Sequence, residues 1–133
     1  MSLVIAELQK RATEHDTSKL EDPELPMFAF YGPRLKTMNF GSEEYKECLA
    51  EMSESALDHH YANNRHHPQF FSNGVIGMNL IDLVEMAVDW MAASMRMKGG
   101  GDFTKSVEFN RKRFGINRQL SQIIQNTAEI LKE

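Results

Sequence analysis

The sequence predicts an all-α protein, with about five helices in a single compact domain. Apolar residues recur at helical spacing in most segments, and no alternating pattern indicates a pair of strands. The 133 residues are 41% hydrophobic, which suffices for one core. We therefore treat 1–133 as a single domain, with a C-terminal helical pair at 102–133 that follows a glycine-rich joint.

The N-terminal segment predicts a first helix from Leu3 to about His15, with Ser2 as its N-cap. Its apolar stripe consists of Val4, Ile5, Leu8 and Ala12. From about 17 to 41 the helical pattern breaks, and prolines and glycines punctuate the chain. This stretch is expected to be a long irregular loop with short turns, of a length that often serves function.

A second helix is predicted from about Glu43 to Asn63, with Ser42 as its cap. The connection at 66–77 carries a proline and two glycines. Asn79 is then expected to cap a third helix, which runs to about Met97. Asp82 stands at the position of a capping-box acid.

The third helix is expected to end at the glycines 99–101. Two further helices are predicted, at about Phe103–Phe114 and Asn117–Leu131, with Gly115 between them. The last one is amphipathic, with an apolar stripe at Leu120, Ile123, Ile124, Thr127 and Leu131.

Charge and composition exclude several classes of protein. A net charge of -4 argues against a general nucleic-acid binder, and no apolar run approaches the roughly 20 residues of a membrane span. The single cysteine, Cys48, excludes an internal disulfide. Because no signal peptide is evident either, we expect a reducing compartment, the cytoplasm.

The histidines are clustered. Four of the five fall within nine positions, at His59, His60, His66 and His67, and the fifth, His15, directly precedes Asp16. Neutral imidazole is a common metal ligand near pH 7, and carboxylates complete sites for hard or borderline cations. The third helix supplies such acids on one face, at Asp82, Glu85 and Asp89. Together these residues favour a metal site over a set of unrelated surface groups.

The stretch from His15 to Lys19 resembles the His-Asp-x-x-Lys form of the HD superfamily of metal-dependent phosphohydrolases. The later order, His60, then His66-His67, then Asp82 or Asp89, is also similar to that of one HD branch. The string from His59 to Pro68, with its Asn-Arg-His-His-Pro, resembles a small phage and bacterial family of unassigned function. These resemblances imply an HD-like helical fold and a metal centre without naming a substrate. HD proteins normally carry a ligand histidine upstream of the pair, and none precedes His15 here.

On this basis we expect one or two divalent ions, of manganese, iron, cobalt, nickel or zinc. The expected ligands are His15, Asp16, His60, His66, His67, Asp82 and Asp89. Lys19 and Arg65 are candidate phosphate contacts, and Lys19 is also a candidate catalytic residue. Glu85 is a candidate to orient a ligand histidine or to activate water, and the sequence leaves both roles open.

The expected activity is metal-dependent hydrolysis of a nucleotide or another small phosphoester. The alternative is a non-catalytic metal-binding protein, or a phage-type interaction or inhibitor protein, on the same scaffold. The absence of a histidine before His15 favours that alternative. We expect no membrane partner, and a homodimer through the methionine-rich or C-terminal helices is one candidate assembly.

Overall fold

The computed structural model describes residues 1–97 and 101–131, and within these ranges it contains seven α-helices and no strand. The helices are α1 Ser2–Glu14, α2 Glu24–Leu35, α3 Glu43–Met52, α4 Asp58–Asn63, α5 Leu80–Arg96, α6 Phe103–Phe114 and α7 Arg118–Leu131. A π-helical segment, Ser53–Leu57, joins α3 to α4, and short 3-10 turns span Thr17–Leu20, Pro68–Phe70 and Gly74–Gly77. The all-α prediction is confirmed, and the expected number of five helices is too low.

The main error of the sequence prediction is α2, which occupies part of the expected loop at 17–41. Pro23 takes the N-cap position and Pro26 lies in the first turn, where backbone N–H groups have no partner within the helix. Pro33 lies in the last turn, so it removes only one hydrogen bond near the helix end. The prolines therefore mark the two ends of a helix instead of excluding it.

The predicted second helix winds continuously from α3 to α4 but changes type on the way. It begins as expected, with the Tyr45 backbone N–H donating to Ser42 Oγ at 3.1 Å. The π-helical segment then widens the winding before α4. Such segments are frequent near functional sites because they shift the direction of the side chains that follow, here His59 and His60.

The capping box of α5 is confirmed. Asn79 Oδ1 accepts hydrogen bonds from the backbone N–H groups of Ile81 and Asp82, and Asp82 Oδ2 accepts one from the Asn79 N–H. At α1 the expected cap is wrong, because Ser2 is the first helical residue and Met1 is the N-cap. Of the expected glycine stop at 99–101, residues 99 and 100 lie outside the described part of the chain.

The core lies between α5, α6 and α7. Its buried members include Met86 and Trp90 of α5, and the Trp90 ring stacks on Phe114 at 6.0 Å between centroids. The buried face of α7 is centred on Ile124, whereas Ile123 is 59% exposed, so the predicted stripe is rotated from the true one. α1 packs against this core through α5, whereas α2, α3 and α4 pack mainly on one another and on the turns between them.

The remaining contacts place the functional residues. α1 packs on α5, and the 3-10 turn after α1 packs on α2 and α4. The C-terminal end of α1 therefore meets three other helices. Among the helices described, none has the length and apolar character that a membrane crossing requires.

Candidate metal centre

Asp16 occupies a left-handed turn directly after α1, with φ 57° and ψ 18°. This conformation is uncommon for residues other than glycine, although aspartate tolerates it better than most. The turn ends α1 and allows His15 and Asp16 to face the same space. Lys19 Nζ donates to Asp16 Oδ2 at 2.5 Å, so the carboxylate is held in place on one side.

A first group of candidate ligands consists of Asp16, His60, His66 and His67, whose ligand atoms all lie within 4.8 Å of one another. His60 Nε2 and His66 Nε2 each lie 3.4 Å from Asp16 Oδ1. His60 Nε2 also lies 2.8 Å from His67 Nε2. With metal–ligand bonds of about 2.1 Å, neighbouring donors around one ion stand about 3.0–3.4 Å apart. The spacing of this group is therefore close to that of a coordination sphere.

A second group consists of His15, Asp16, His66 and Asp89. His15 Nε2 lies 3.5 Å from Asp16 Oδ2 and 3.6 Å from Asp89 Oδ1. Asp16 thus directs Oδ1 toward the first group and Oδ2 toward the second. Its carboxylate can serve two ions, whereas the single free nitrogen of His66 can bind only one.

Two atoms at the junction of the groups have no hydrogen-bond partner among the described residues, Asp16 Oδ1 and His66 Nε2, and both are buried. His66 as a whole is only 1% exposed. Leaving a buried polar atom without a partner costs about 1–3 kcal/mol, so such atoms call for an explanation. A shared cation would satisfy both of them.

The pKa values of the histidines in the centre are shifted in opposite directions. The carboxylates of Asp89 and then Glu85 raise the pKa of His15 to about 10. Burial alone would raise the pKa of Asp16, but contacts with His66 and Lys19 lower it overall. Burial and the neighbouring His66 lower the pKa of His67 to about 3, which keeps that imidazole neutral. A divalent ion can therefore replace the proton that the carboxylates would otherwise hold on His15.

Glu85 contacts two of the histidines through their Nδ1 atoms, on the side of each ring opposite to the Nε2 atom. Its Oε1 lies 2.9 Å from His15 Nδ1 and 3.2 Å from His66 Nδ1, and its Oε2 accepts a hydrogen bond from Arg11 at 2.8 Å. When each Nδ1 carries the proton, the Nε2 lone pairs face the centre. Of the two roles left open for Glu85, these contacts favour orientation of ligand histidines.

Glu24 orients histidines of α4 in the same way, and it was not identified from the sequence. It is fully buried, and its two oxygens lie 2.7 Å from His59 Nδ1 and 2.8 Å from His60 Nδ1. Because 17–41 was interpreted as a loop, an acid at its middle suggested no partner. The signal was present, since Pro23 directly before an acid is typical of a helix start.

The structure does not bring Asp82 to the centre. Its fully buried carboxylate accepts hydrogen bonds from Arg11 at 2.6 Å and from Arg65 at 3.0 and 3.1 Å, besides the Asn79 N–H. One helical turn separates it from Glu85, which places it beside Arg11 instead of His15. Neither group of candidate ligands includes Asp82, so we assign it a structural role.

The two candidate phosphate contacts differ in position. Arg65 is committed to Asp82 and lies over the rings of Phe70 and Phe71, so its guanidinium is not directed at the centre. Lys19 lies at the edge of the centre, bound to Asp16 and one-third exposed. Lys19 contacts a candidate ligand, Asp16, directly, whereas Arg65 lines a second cavity together with His66 and Glu85.

A protein-family model described as "Family of unknown function (DUF5662)" matches residues 1–133. No curated protein and no solved structure matches the chain.

Proposed function

Since the chain belongs to the family of unknown function DUF5662, we propose from the centre itself that it is a divalent-metal-dependent phosphohydrolase on an HD-like helical scaffold. One observation carries this proposal: Asp16 Oδ1 and His66 Nε2, buried and without a hydrogen-bond partner among the described residues, face each other at 3.4 Å. The order of His15-Asp16, His66 and Asp89 along the chain supports the HD-like assignment.

The donor set indicates the class of ion. Imidazole nitrogens with a few carboxylates suit manganese, iron, cobalt, nickel or zinc better than calcium. Asp16 is the natural bridge between two ions because its oxygens face different groups. When bound, such an ion supplies Lewis-acid polarisation of a phosphoryl oxygen and a lowered pKa for a coordinated water.

The protein groups around the ion have separate tasks. Asp16 and the histidines would hold it. Glu85 would fix which nitrogen of His15 and His66 carries the proton, and Glu24 would do the same for His60. Lys19, partly exposed at the rim, is the side chain placed to meet an anionic oxygen. The expected substrate is a small phosphoester, and a cytoplasmic location remains part of the proposal.

Two measurements test this function. The protein is loaded with each of the five metals and its metal content is determined by elemental analysis. Hydrolysis of p-nitrophenyl phosphate and of nucleotides is then assayed. Asp16→Asn should lower turnover by at least about 100-fold, since changes at outer partners of ligands alone cost 10–100-fold. Asp58→Asn, an exposed aspartate of α4, is the matched control and should be unaffected. The proposal fails if no metal supports turnover that depends on Asp16.

A second candidate, a non-catalytic metal-binding protein, is favoured by one feature. The first group offers four protein donors, and two of them, His60 and His66, are almost completely buried. A closed four-coordinate site is typical of a structural ion, whereas a catalytic ion keeps a position for water. X-ray absorption spectroscopy of the loaded protein separates the two: four protein donors without water, combined with no turnover, would support this candidate.

A further inference from the structure

A cavity of about 380 Å³ opens between α1 and α5, directly beside the second group of candidate ligands. His15 and Asp89 lie in its wall together with Asp16. The rest of the lining is mostly apolar and includes Leu8, Ala12, Val84, Val88 and Ala92. We call this cavity the α1–α5 groove. A space of this size lies at the lower end of the range for small-molecule sites.

The groove has an apolar end and a basic end. Arg11 contacts Asp82 while His15 contacts Asp89, so α1 and α5 run in the same direction. Leu8 and Val84 therefore lie together on one side of the centre. Arg96 lies on the other side, two turns or about 10 Å beyond Asp89 on the same helix.

The two arginines of the groove differ in what they bind. Arg11 is committed to Glu7, Asp82 and Glu85. Arg96, which is exposed, makes no ion pair with any residue in the described ranges. Arg96 and Asp89 line the same cavity, so a ligand bound at the centre can extend toward the guanidinium. A guanidinium matches the oxygens of a phosphate, so this end of the groove fits an anion.

The apolar end lacks a cover. Val84 and Val88 are 39% and 43% exposed, although both lie on the helix that forms the core. An apolar group bound in the groove would remove this surface from water. The apolar side chains and the metal centre lie in one continuous wall, which means a single ligand can contact both.

We propose that the site acts on an amphiphilic phosphomonoester, a deepening that rests on the proposed phosphohydrolase function. The phosphate lies between the metal centre and Arg96, and a short apolar group lies against Leu8, Val84 and Val88. In the reaction, the oxygen of water bonds to phosphorus as the bond from phosphorus to the alkyl oxygen breaks. The alkyl oxygen takes a water proton, which leaves an alcohol and inorganic phosphate.

The test uses the manganese-loaded protein and a series of methyl, butyl and hexyl phosphate. Each added methylene should lower KM about two- to fourfold until the groove is filled. Leu8→Ser or Val84→Ser should flatten this dependence on chain length. Leu3→Ser, at an 85% exposed position of α1 outside the groove, is the matched control and should preserve it.

A substitution of Arg96 tests whether the basic end of the groove binds the phosphate. Arg96→Gln should raise KM for all three esters by about tenfold or more, as expected for loss of a charge-assisted hydrogen bond. Arg118→Gln, at the start of α7 and outside the groove, should leave KM unchanged.

The outcomes separate the groove from the proposed function. Hydrolysis with a KM that does not depend on chain length would overturn the groove assignment and leave the phosphohydrolase intact. If none of the esters is hydrolysed, turnover of p-nitrophenyl phosphate and nucleotides decides the function, and calorimetry on the same loaded protein decides the groove. Tighter binding of hexyl than of methyl phosphate, lost in Leu8→Ser, supports it, and equal or absent binding overturns it.

Discussion

Asp16 Oδ1 lies 3.4 Å from His66 Nε2, and both atoms are buried without a hydrogen-bond partner among the residues described. The aspartate stands in the turn after α1 and the histidine in the loop after α4. Two acceptors facing each other in this way are satisfied by a cation that both contact.

Addition of a divalent ion should stabilise the protein, because ligand binding to the folded state raises its free energy of unfolding. With the free ion at about 100 times its Kd, the gain is about 2.7 kcal/mol. Thermal unfolding with and without manganese or zinc measures it. Asp16→Asn should abolish the gain and Asp58→Asn should retain it. An equal response of the two variants would mean that the ion binds elsewhere.

Glu24→Gln should weaken metal binding by about 10–100-fold, although Glu24 belongs to neither ligand group. The amide keeps only one acceptor oxygen for His59 and His60, and that oxygen is uncharged. It therefore holds the His60 Nδ1 proton less firmly, and the Nε2 lone pair faces the centre less often. Competition with a chromophoric chelator gives the Kd. His59→Gln removes the other contact of Glu24 and should change the Kd by less than about threefold. If Glu24→Gln and His59→Gln lowered the metal affinity equally, the effect would come from a disturbed fold and not from the orientation of His60.

Asp82→Asn should destabilise the protein by about 3 kcal/mol while leaving its metal content unchanged. The substitution removes a fully buried charge that pairs with Arg11 and Arg65, and breaking a buried pair is costly. Arg65 is 41% exposed and can be hydrated, which limits the loss. Urea unfolding and elemental analysis report the two quantities. Loss of metal at unchanged stability would restore Asp82 to the ligand set.

The Asp82 carboxylate should also make the free energy of unfolding depend on pH. Burial alone would raise the pKa of Asp82, but hydrogen bonds from Arg65, the Asn79 N–H and Arg11 lower it below the ordinary value of 3.8. A depressed pKa in the folded state gives stability that is present above pH 3.8 and is lost as the pH falls through the folded-state pKa.

The difference in free energy of unfolding between the wild type and Asp82→Asn should therefore narrow as the pH is lowered from 7 toward the depressed pKa. Chemical unfolding of the metal-free proteins at a series of pH values measures that difference. A gap that stays constant down to the lowest pH would show that Asp82 keeps an ordinary pKa.

Much of the fold follows from local signals. The capping box at Asn79 and Asp82 and the cap at Ser42 were readable because a cap acts within three residues of chain. The same holds for Gly115, whose left-handed conformation ends α6. The signals that misled were also local: Pro26 and Pro33 near the ends of α2 resemble loop prolines unless the helix between them is known.

The candidate site follows from the sequence only in its residue types. The clustering of histidines and the pair His15-Asp16 indicated a metal centre, and the structure brings His15, Asp16, His60, His66, His67 and Asp89 into two overlapping groups. The roles of the acids were readable only in part, since Asp82 was expected as a metal ligand and the role of Glu85 was left open. Asp82, Glu85 and Asp89 share one helical face, yet the first pairs with arginines, the second orients histidines and the third faces His15.

The sequence by itself determined that the chain is helical and that it carries imidazoles and carboxylates enough for a metal ion. Only the tertiary structure decided which of them meet, and it added Glu24 from a helix that was not expected. The reason is physical. Periodicity and capping depend on neighbours a few residues away, whereas the partner of a buried carboxylate depends on which helix packs against its own, and at which turn.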